Sequence, residues 1–416
     1  MRTLLIGAII TALTCLSACG GGGGGGSPTT IAPEPSTDPA RIAQTRSDLP
    51  SAARIYDYLY IHGSGAPYEG FDGTYQGLPG LRRFASPPTV RLRAGMSDRE
   101  TASAHYAVAL INRALPYDLH LRIGPAFPDD YPQRSGTYFR DAPTGELFIE
   151  FTEGLRNTDG APGFAYSDVG TTTPIPTSAQ VGLNSEGFRR RPDHQAVSVL
   201  VHELLHTLGL GAHVPGDTYP DSNMFDAWFR LDGALPAIDA AALQVLYTRL
   251  GAYTPREDLS PAMLGAWEDE SMDIGGSIGP VTFGVRHAND VDMPFTAGRE
   301  PATALADNRA LTGTVTWNGK LAGYTASQAT VAGDAAISVS LDTMNGRADF
   351  SELETGDGSA WGDGDLGYTI TVGGNYFRST GGDAGTVNGQ FYGSSHQGAG
   401  GSVERADLTA AFGAVR

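Results

Sequence analysis

Residues 193–208 constrain most strongly how this chain can fold. Val197, Val199, Leu200, Val201, Leu204, Leu205 and Leu208 fall around the whole circumference of a helix there. A helix that is apolar on every side belongs at the centre of a domain. The same stretch carries His202, Glu203 and His206, and an ionisable group buried alone costs on the order of several kcal/mol. The three therefore need a common partner. At 3.6 residues per turn, His202 and His206 project from one face about 6 Å apart, the spacing at which two imidazoles share one Zn²⁺. Glu203, one position on, is placed to reach a water beside the metal rather than the metal itself. Zn²⁺ is thus the expected cofactor.

A catalytic zinc takes three protein ligands. Leu208-Gly209-Leu210-Gly211-Ala212-His213 ends the helix, turns and returns a histidine. Gly209 suits the left-handed position that stops a helix. His213 is the expected third ligand, and Asp217 is the alternative.

The run His202-Glu203-x-x-His206-x-x-Gly209 resembles the signature of the metzincin clan of metallopeptidases. In that clan a third histidine falls three residues after the glycine; here His213 falls four after it. The clan also places a methionine turn beneath its metal, and Asp221-Ser222-Asn223-Met224-Phe225 resembles that turn, with Met224 in the key position. The resemblance implies hydrolysis of peptide bonds, with Glu203 as the general base. It also implies that residues 179–183 form a sheet edge that aligns an extended substrate. Nearby tyrosines such as Tyr219 are candidates to steady the oxyanion, and nothing in the sequence selects one.

The pattern around this motif is mixed. Residues 89–93, 119–123, 147–151 and 179–183 read as strands. Residues 98–115, 193–208 and 238–250 read as helices, the first capped by Asp98. Residues 42–255 are therefore expected to form one unit, a mixed sheet with helices packed on it.

At the start, Arg2 and the apolar residues 4–13 lead into Leu16-Ser17-Ala18-Cys19-Gly20. The apolar run is too short to span a bilayer. It resembles a bacterial lipoprotein signal, which implies cleavage before Cys19 and acylation of that residue. Residues 1–18 are then the signal peptide and residues 19–41 a lipidated flexible tether rich in Gly, Ser, Pro and Thr. The lipid bilayer would be a partner through Cys19, at the outer membrane and facing the cell surface. Cys15 lies in the removed segment, which leaves no pair for a disulfide. A net charge of −18, with Lys320 the sole lysine, argues against nucleic acid as a partner.

After Pro255 the composition shifts to short alternating runs at residues 314–317, 335–341, 367–372, 390–392 and 408–412, separated by Gly, Asn and Asp. Such spacing is that of an antiparallel barrel or sandwich, expected over residues 256–416. A short helical turn is expected near residues 300–307, and Asp357, Asp363 and Asp365 read as an exposed barrel turn. Val387-Asn388-Gly389-Gln390-Phe391-Tyr392-Gly393, Gly400-Gly401 and Ala411-Phe412-Gly413-Ala414 resemble the closing strands of the transferrin-binding protein B-like β-barrel. Gly313-Thr314-Val315-Thr316-Trp317 and Leu321-Ala322-Gly323-Tyr324 are similar to its opening strands. Surface lipoproteins of Gram-negative bacteria carry that module as a scaffold, an export signal or a ligand-binding face.

The expected fold is α+β, a metzincin-like zincin unit of mixed sheet plus helices, followed by an all-β antiparallel barrel. Two functions remain open on these residues. One is a membrane-anchored, surface-exposed zinc metalloendopeptidase acting on a protein or peptide substrate. The other is a surface lipoprotein that captures a host ligand through its barrel, with the zinc unit inactive or structural.

Overall fold

A computed structural model of the chain describes residues 41–63, 79–133, 140–153, 163–169, 174–225, 231–298, 312–362, 364–380 and 385–416. The expected signal peptide, Cys19 and nearly all of the tether lie outside these residues, as do Asp363 and the helical turn near residues 300–307.

Strand β1 (Ala43–Asp48) and helix α1 (Ala52–His62) come first, then β2 (Gly80–Arg82), β3 (Thr89–Leu92) and α2 (Asp98–Asn112). Ser97, not Asp98, caps α2. Glu100 donates its backbone N–H to Ser97 Oγ at 3.3 Å, and Ser97 donates its own to Glu100 Oε2 at 2.9 Å. This reciprocal box takes the capping position and leaves Asp98 as the first helical residue.

Strands β4 (Arg122–Ile123), β5 (Glu146–Thr152), β6 (Gly163–Val169) and β7 (Pro176–Asn184) join β3 in a five-stranded sheet of order β4-β3-β5-β7-β6. All pairs are parallel except β6 with β7. Residues 179–183 are therefore interior, and the edge beyond them is β6. Ala179, Gln180, Val181, Gly182 and Leu183 are all buried, as a strand covered on both faces and both edges requires. Residues 119–123 yield only the two residues of β4, because a tight turn at Tyr117–Leu119 precedes it.

Helices α3 (Ser185–Arg189), α4 (Asp193–Thr207) and α5 (Ala237–Thr248) follow, and β8 (Tyr253–Pro255) pairs with β2. Leu147, Ile149 and Val181 from the sheet share one core with Leu200, Leu204 and Leu208 from the central helix and its end. That helix is α4, buried as its apolar circumference requires.

β9 (Glu270–Ile278), β10 (Val281–Ala288) and β11 (Val291–Gly298) form an antiparallel meander, and β1 adds to its β9 edge. Residues 270–298 thus form a sheet of their own, whose Phe283 and Val285 pack on Ala322, Tyr324 and Ala411 of the barrel, and the first barrel strand begins at Thr314 rather than just past Pro255. Half-buried antiparallel strands alternate alike in a sheet and in a barrel, and the strand that completes this sheet comes from the far end of the described chain.

The barrel comprises β12 (Thr314–Thr325), β13 (Thr330–Ser340), β14 (Asn345–Thr355), β15 (Leu366–Gly373), β16 (Tyr376–Ser379), β17 (Thr386–Tyr392), β18 (Gly398–Glu404) and β19 (Leu408–Val415). Antiparallel pairing of β12 with both β13 and β19 closes it. Trp317, Phe350, Phe377, Phe391 and Phe412 fill its interior, and Trp317 donates Nε1–H to the His396 carbonyl at 2.7 Å. Eight strands leave space for side chains and no channel. Asp357 closes a turn by accepting from Thr355 Oγ1 at 2.6 Å and Ser359 N at 3.0 Å.

The barrel docks against α2 and the start of α4. Tyr376 stacks on Tyr106 with ring centroids 4.4 Å apart. Gly373 permits this approach, since a Cβ there would lie 2.4 Å from the Asp98 carbonyl oxygen. Asn375 donates its N–H to Asp193 Oδ2, on the first residue of α4, at 2.7 Å. Among the described residues no helix is long and apolar enough to cross a membrane.

Candidate metal centre

The last two turns of α4 and the loop after it place His202, His206 and His213 together, with one ring nitrogen of each within 4.8 Å of the others. His202 Nε2 lies 3.0 Å from both His206 Nε2 and His213 Nε2. The other nitrogens fix what these contacts are. His202 Nδ1 meets the Asn223 carbonyl at 2.7 Å, and His206 Nδ1 meets the Leu210 carbonyl at 3.0 Å. A carbonyl only accepts, so each Nδ1 carries the proton and each Nε2 a lone pair. Two lone pairs at 3.0 Å repel; a shared cation relieves them. Ligands 2.0–2.1 Å from a tetrahedral ion lie roughly 3.3 Å apart, so the histidines fit Zn²⁺. Burial, followed by neighbouring His202 and His213, holds His206 well below the ordinary imidazole range. It is therefore neutral, the form that ligates.

Gly209 sets where the loop goes. Its φ is +117°, and a Cβ there would lie 2.2 Å from the Arg82 carbonyl oxygen. The chain turns there against β2, and the following residues bring His213 back over the helix. Asp217, the alternative ligand, is exposed and accepts from the Thr218 hydroxyl at 3.3 Å; it is not one of the converging groups.

Met224 is fully buried in the main core. Its turn is fastened on two sides. Val214, next to His213, donates its N–H to the Met224 carbonyl at 3.3 Å. Asn223 Oδ1 accepts from Ser198 Oγ of α4 at 2.9 Å. The turn thus orients His202 through the Asn223 carbonyl and ties the His213 loop through Val214.

Glu203 is buried, and desolvation pushes its carboxyl up to about 8. Tyr219, named above for the oxyanion, is buried edge-on against Tyr58 at 4.9 Å between ring centroids.

Sequence reasoning missed a supporting layer beneath the histidines. Asp239 of α5, fully buried, accepts from Tyr58 Oη, from Ser222 Oγ at 2.8 Å and from Asn223 N at 2.7 Å. Burial raises its carboxyl to about 6 against the pull of those bonds. A lone acid in the apolar run Ala237-Ile238-Asp239-Ala240-Ala241 was the available signal. His62, at the end of α1, accepts the Ala212 N–H on Nδ1 at 3.0 Å, and burial lowers it to about 3. Nothing in its sequence neighbourhood marks it.

No protein-family model matches the chain, and no curated protein does. Solved structures do. Transferrin binding protein B isotype 1 from Neisseria meningitidis is 20% identical, covering 35% of this chain and 33% of its own, with a TM-score of 0.27. A protein described as a surface lipoprotein is 14% identical over 33% of this chain and 76% of its own, with a TM-score of 0.25. The N-lobe of lactoferrin binding protein B from Moraxella bovis is 12% identical over 35% and 74%, with a TM-score of 0.20. This chain spans 33% of the first of these proteins. Likeness at this level assigns no family, ligand or activity to the chain.

Proposed function

We propose that the chain is a zinc metalloendopeptidase, tethered at the outer membrane by acylated Cys19 and facing the cell surface. The observation that carries the reading is the convergence of three Nε2 atoms, two of them turned by carbonyls so that their lone pairs meet. His202, His206 and His213 would hold Zn²⁺, which would supply Lewis acidity to a water and to a peptide carbonyl. Glu203, on the same buried helix, takes a proton from the attacking water and returns it to the leaving amine. Strand β6, the last strand in the order of the five-stranded sheet, can align an extended substrate by strand addition, the task expected above of residues 179–183. A structural zinc site closes with a fourth protein ligand. Among the described residues the group has three members, and Glu203 would be idle in a closed site.

Casein digestion with and without a chelator tests this reading, beside Glu203→Gln. The variant should keep one zinc per chain and lose at least about 100-fold in cleavage rate. Cleavage at the wild-type rate by the variant or by the chelated protein would sink the mechanism.

A second reading, a surface lipoprotein that captures a host protein through its barrel, draws support from the barrel itself. Among the described residues its interior is packed with side chains, which points to the outer face and loops as the surface for a ligand. Two of the three proteins compared above are named for binding transferrin or lactoferrin, and transferrin is the ligand used in the test. Transferrin binding together with no chelator-sensitive cleavage of any substrate would favour this second reading.

A further inference from the structure

We propose that His62 is a positioning residue, which holds the long loop after Gly209 so that His213 completes the zinc site. This rests on reading the three histidines as a zinc site, and it addresses the loop's additional residue. A loop one residue longer than the metzincin spacing has more conformations to lose before His213 meets its partners. Something must fix it.

The residue before His213 is fixed at its backbone. Ala212 donates its N–H to His62 Nδ1 at 3.0 Å, across 150 residues of sequence. His62 is 6% exposed and cannot swing out without opening the core. Its ring lies edge-on to Tyr58, one turn earlier on α1, at 4.6 Å between centroids. Tyr58 Oη is bonded to Asp239 and, at 2.8 Å, to Ser222 Oγ. Asp239 in turn takes the Asn223 N–H at 2.7 Å, and the Asn223 carbonyl takes the His202 Nδ1 proton at 2.7 Å. One face of α1 therefore orients two ligands, His202 through Tyr58 and His213 through His62. A buried histidine whose Nε2 has no hydrogen-bond partner among the described residues is costly to keep, and packing alone would be met by phenylalanine.

The test is zinc affinity, measured by competition with a chromogenic chelator on the full-length protein. His62→Phe removes the acceptor and keeps the ring; His62→Asn keeps an acceptor where Nδ1 lies. His62→Phe should weaken zinc binding about 10- to 100-fold, as loss of an orienting partner does, and His62→Asn should restore most of it. His213→Ala combined with His62→Phe should bind no more weakly than His213→Ala alone, since both act on one ligand. Circular dichroism of the chelated proteins identifies any variant that fails to fold, and the asparagine variant then decides. Wild-type affinity in His62→Phe, equal loss in the asparagine variant, or additive losses in the double variant would overturn the proposal. If the wild-type protein binds no zinc, the zinc reading itself fails; if it binds zinc but cleaves nothing, the peptidase reading fails and the role of His62 stands.

Discussion

Glu203 poses the sharpest question at the scale of one residue, because burial alone sets its pKa. Its carboxyl is raised from 4.5 to about 8. A raised carboxyl contributes stability that is fully present below the unfolded value and is lost as pH rises through the folded one. Metal-free protein should therefore lose stability between about pH 4.5 and 8, by on the order of 1.4 kcal/mol per pH unit at most. A divalent cation nearby favours the carboxylate and should flatten that loss. Urea midpoints measured from pH 5 to pH 9 with chelator present would check this. Glu203→Gln should show a shallower decline than the wild type, and adding Zn²⁺ to the wild type should do the same. An unchanged slope in the glutamine variant would mean that Glu203 does not govern it.

At the scale of elements, the end of α4 is where sequence and structure agree most closely in physical terms. Gly209 stops the helix with φ +117°, and a Cβ there would strike both the Arg82 carbonyl oxygen and, at 2.8 Å, Leu246 Cδ2. Gly209→Ala should therefore cost at least about 2 kcal/mol through backbone strain and overpacking. It should also weaken zinc binding, because the loop to His213 begins there. Denaturant unfolding of the chelated protein measures the first effect and chelator competition the second; an alanine variant as stable as wild type would contradict the geometry. The helix, its histidines and its glycine stop were legible because their chemistry is local. A period of 3.6 and a buried pair of imidazoles leave few alternatives. What fixes the site from beneath was illegible for the opposite reason: the His62 and Asp239 bonds join residues far apart in sequence, and no local pattern records them. The edge of the sheet was misplaced on similar grounds, since alternation places a strand in a sheet but does not name its neighbours. The first strand, β1, gave no sign that it pairs with β9.

For the whole molecule, the barrel is joined to the α/β unit by buried polar contacts as well as apolar ones. Arg113, at the end of α2, is 2% exposed. Its guanidinium donates to Ser402 Oγ on β18 at 3.0 Å and to the Gly233 carbonyl, and it lies 5.6 Å from the Tyr106 ring centroid. Ser402 Oγ donates in turn to Glu404 Oε1 at 2.8 Å, and His120 Nδ1 lies 3.4 Å from Glu404 Oε2. A charge buried in such a network is costly to leave half-matched. A hydrogen bond to a charged group is worth about 1.5–3 kcal/mol, and a buried partner left unsatisfied adds to the cost. Arg113→Leu should thus destabilise the protein on that scale, and it should do so at the joint between barrel and sheet unit. The effect there is more specific than a lower midpoint. If the joint makes the two parts unfold together, loosening it should split one cooperative transition into two, with a lower apparent m-value for each. Tryptophan fluorescence reports both sides, from Trp317 inside the barrel and Trp267 beside the α/β core, and far-ultraviolet circular dichroism follows the helices. Non-coincident curves in Arg113→Leu against coincident curves in the wild type would show that the barrel stabilises the unit bearing the histidines. A single transition displaced by less than about 1 kcal/mol would show that apolar contacts such as Tyr376 on Tyr106 suffice, since surface-like changes cost no more than that.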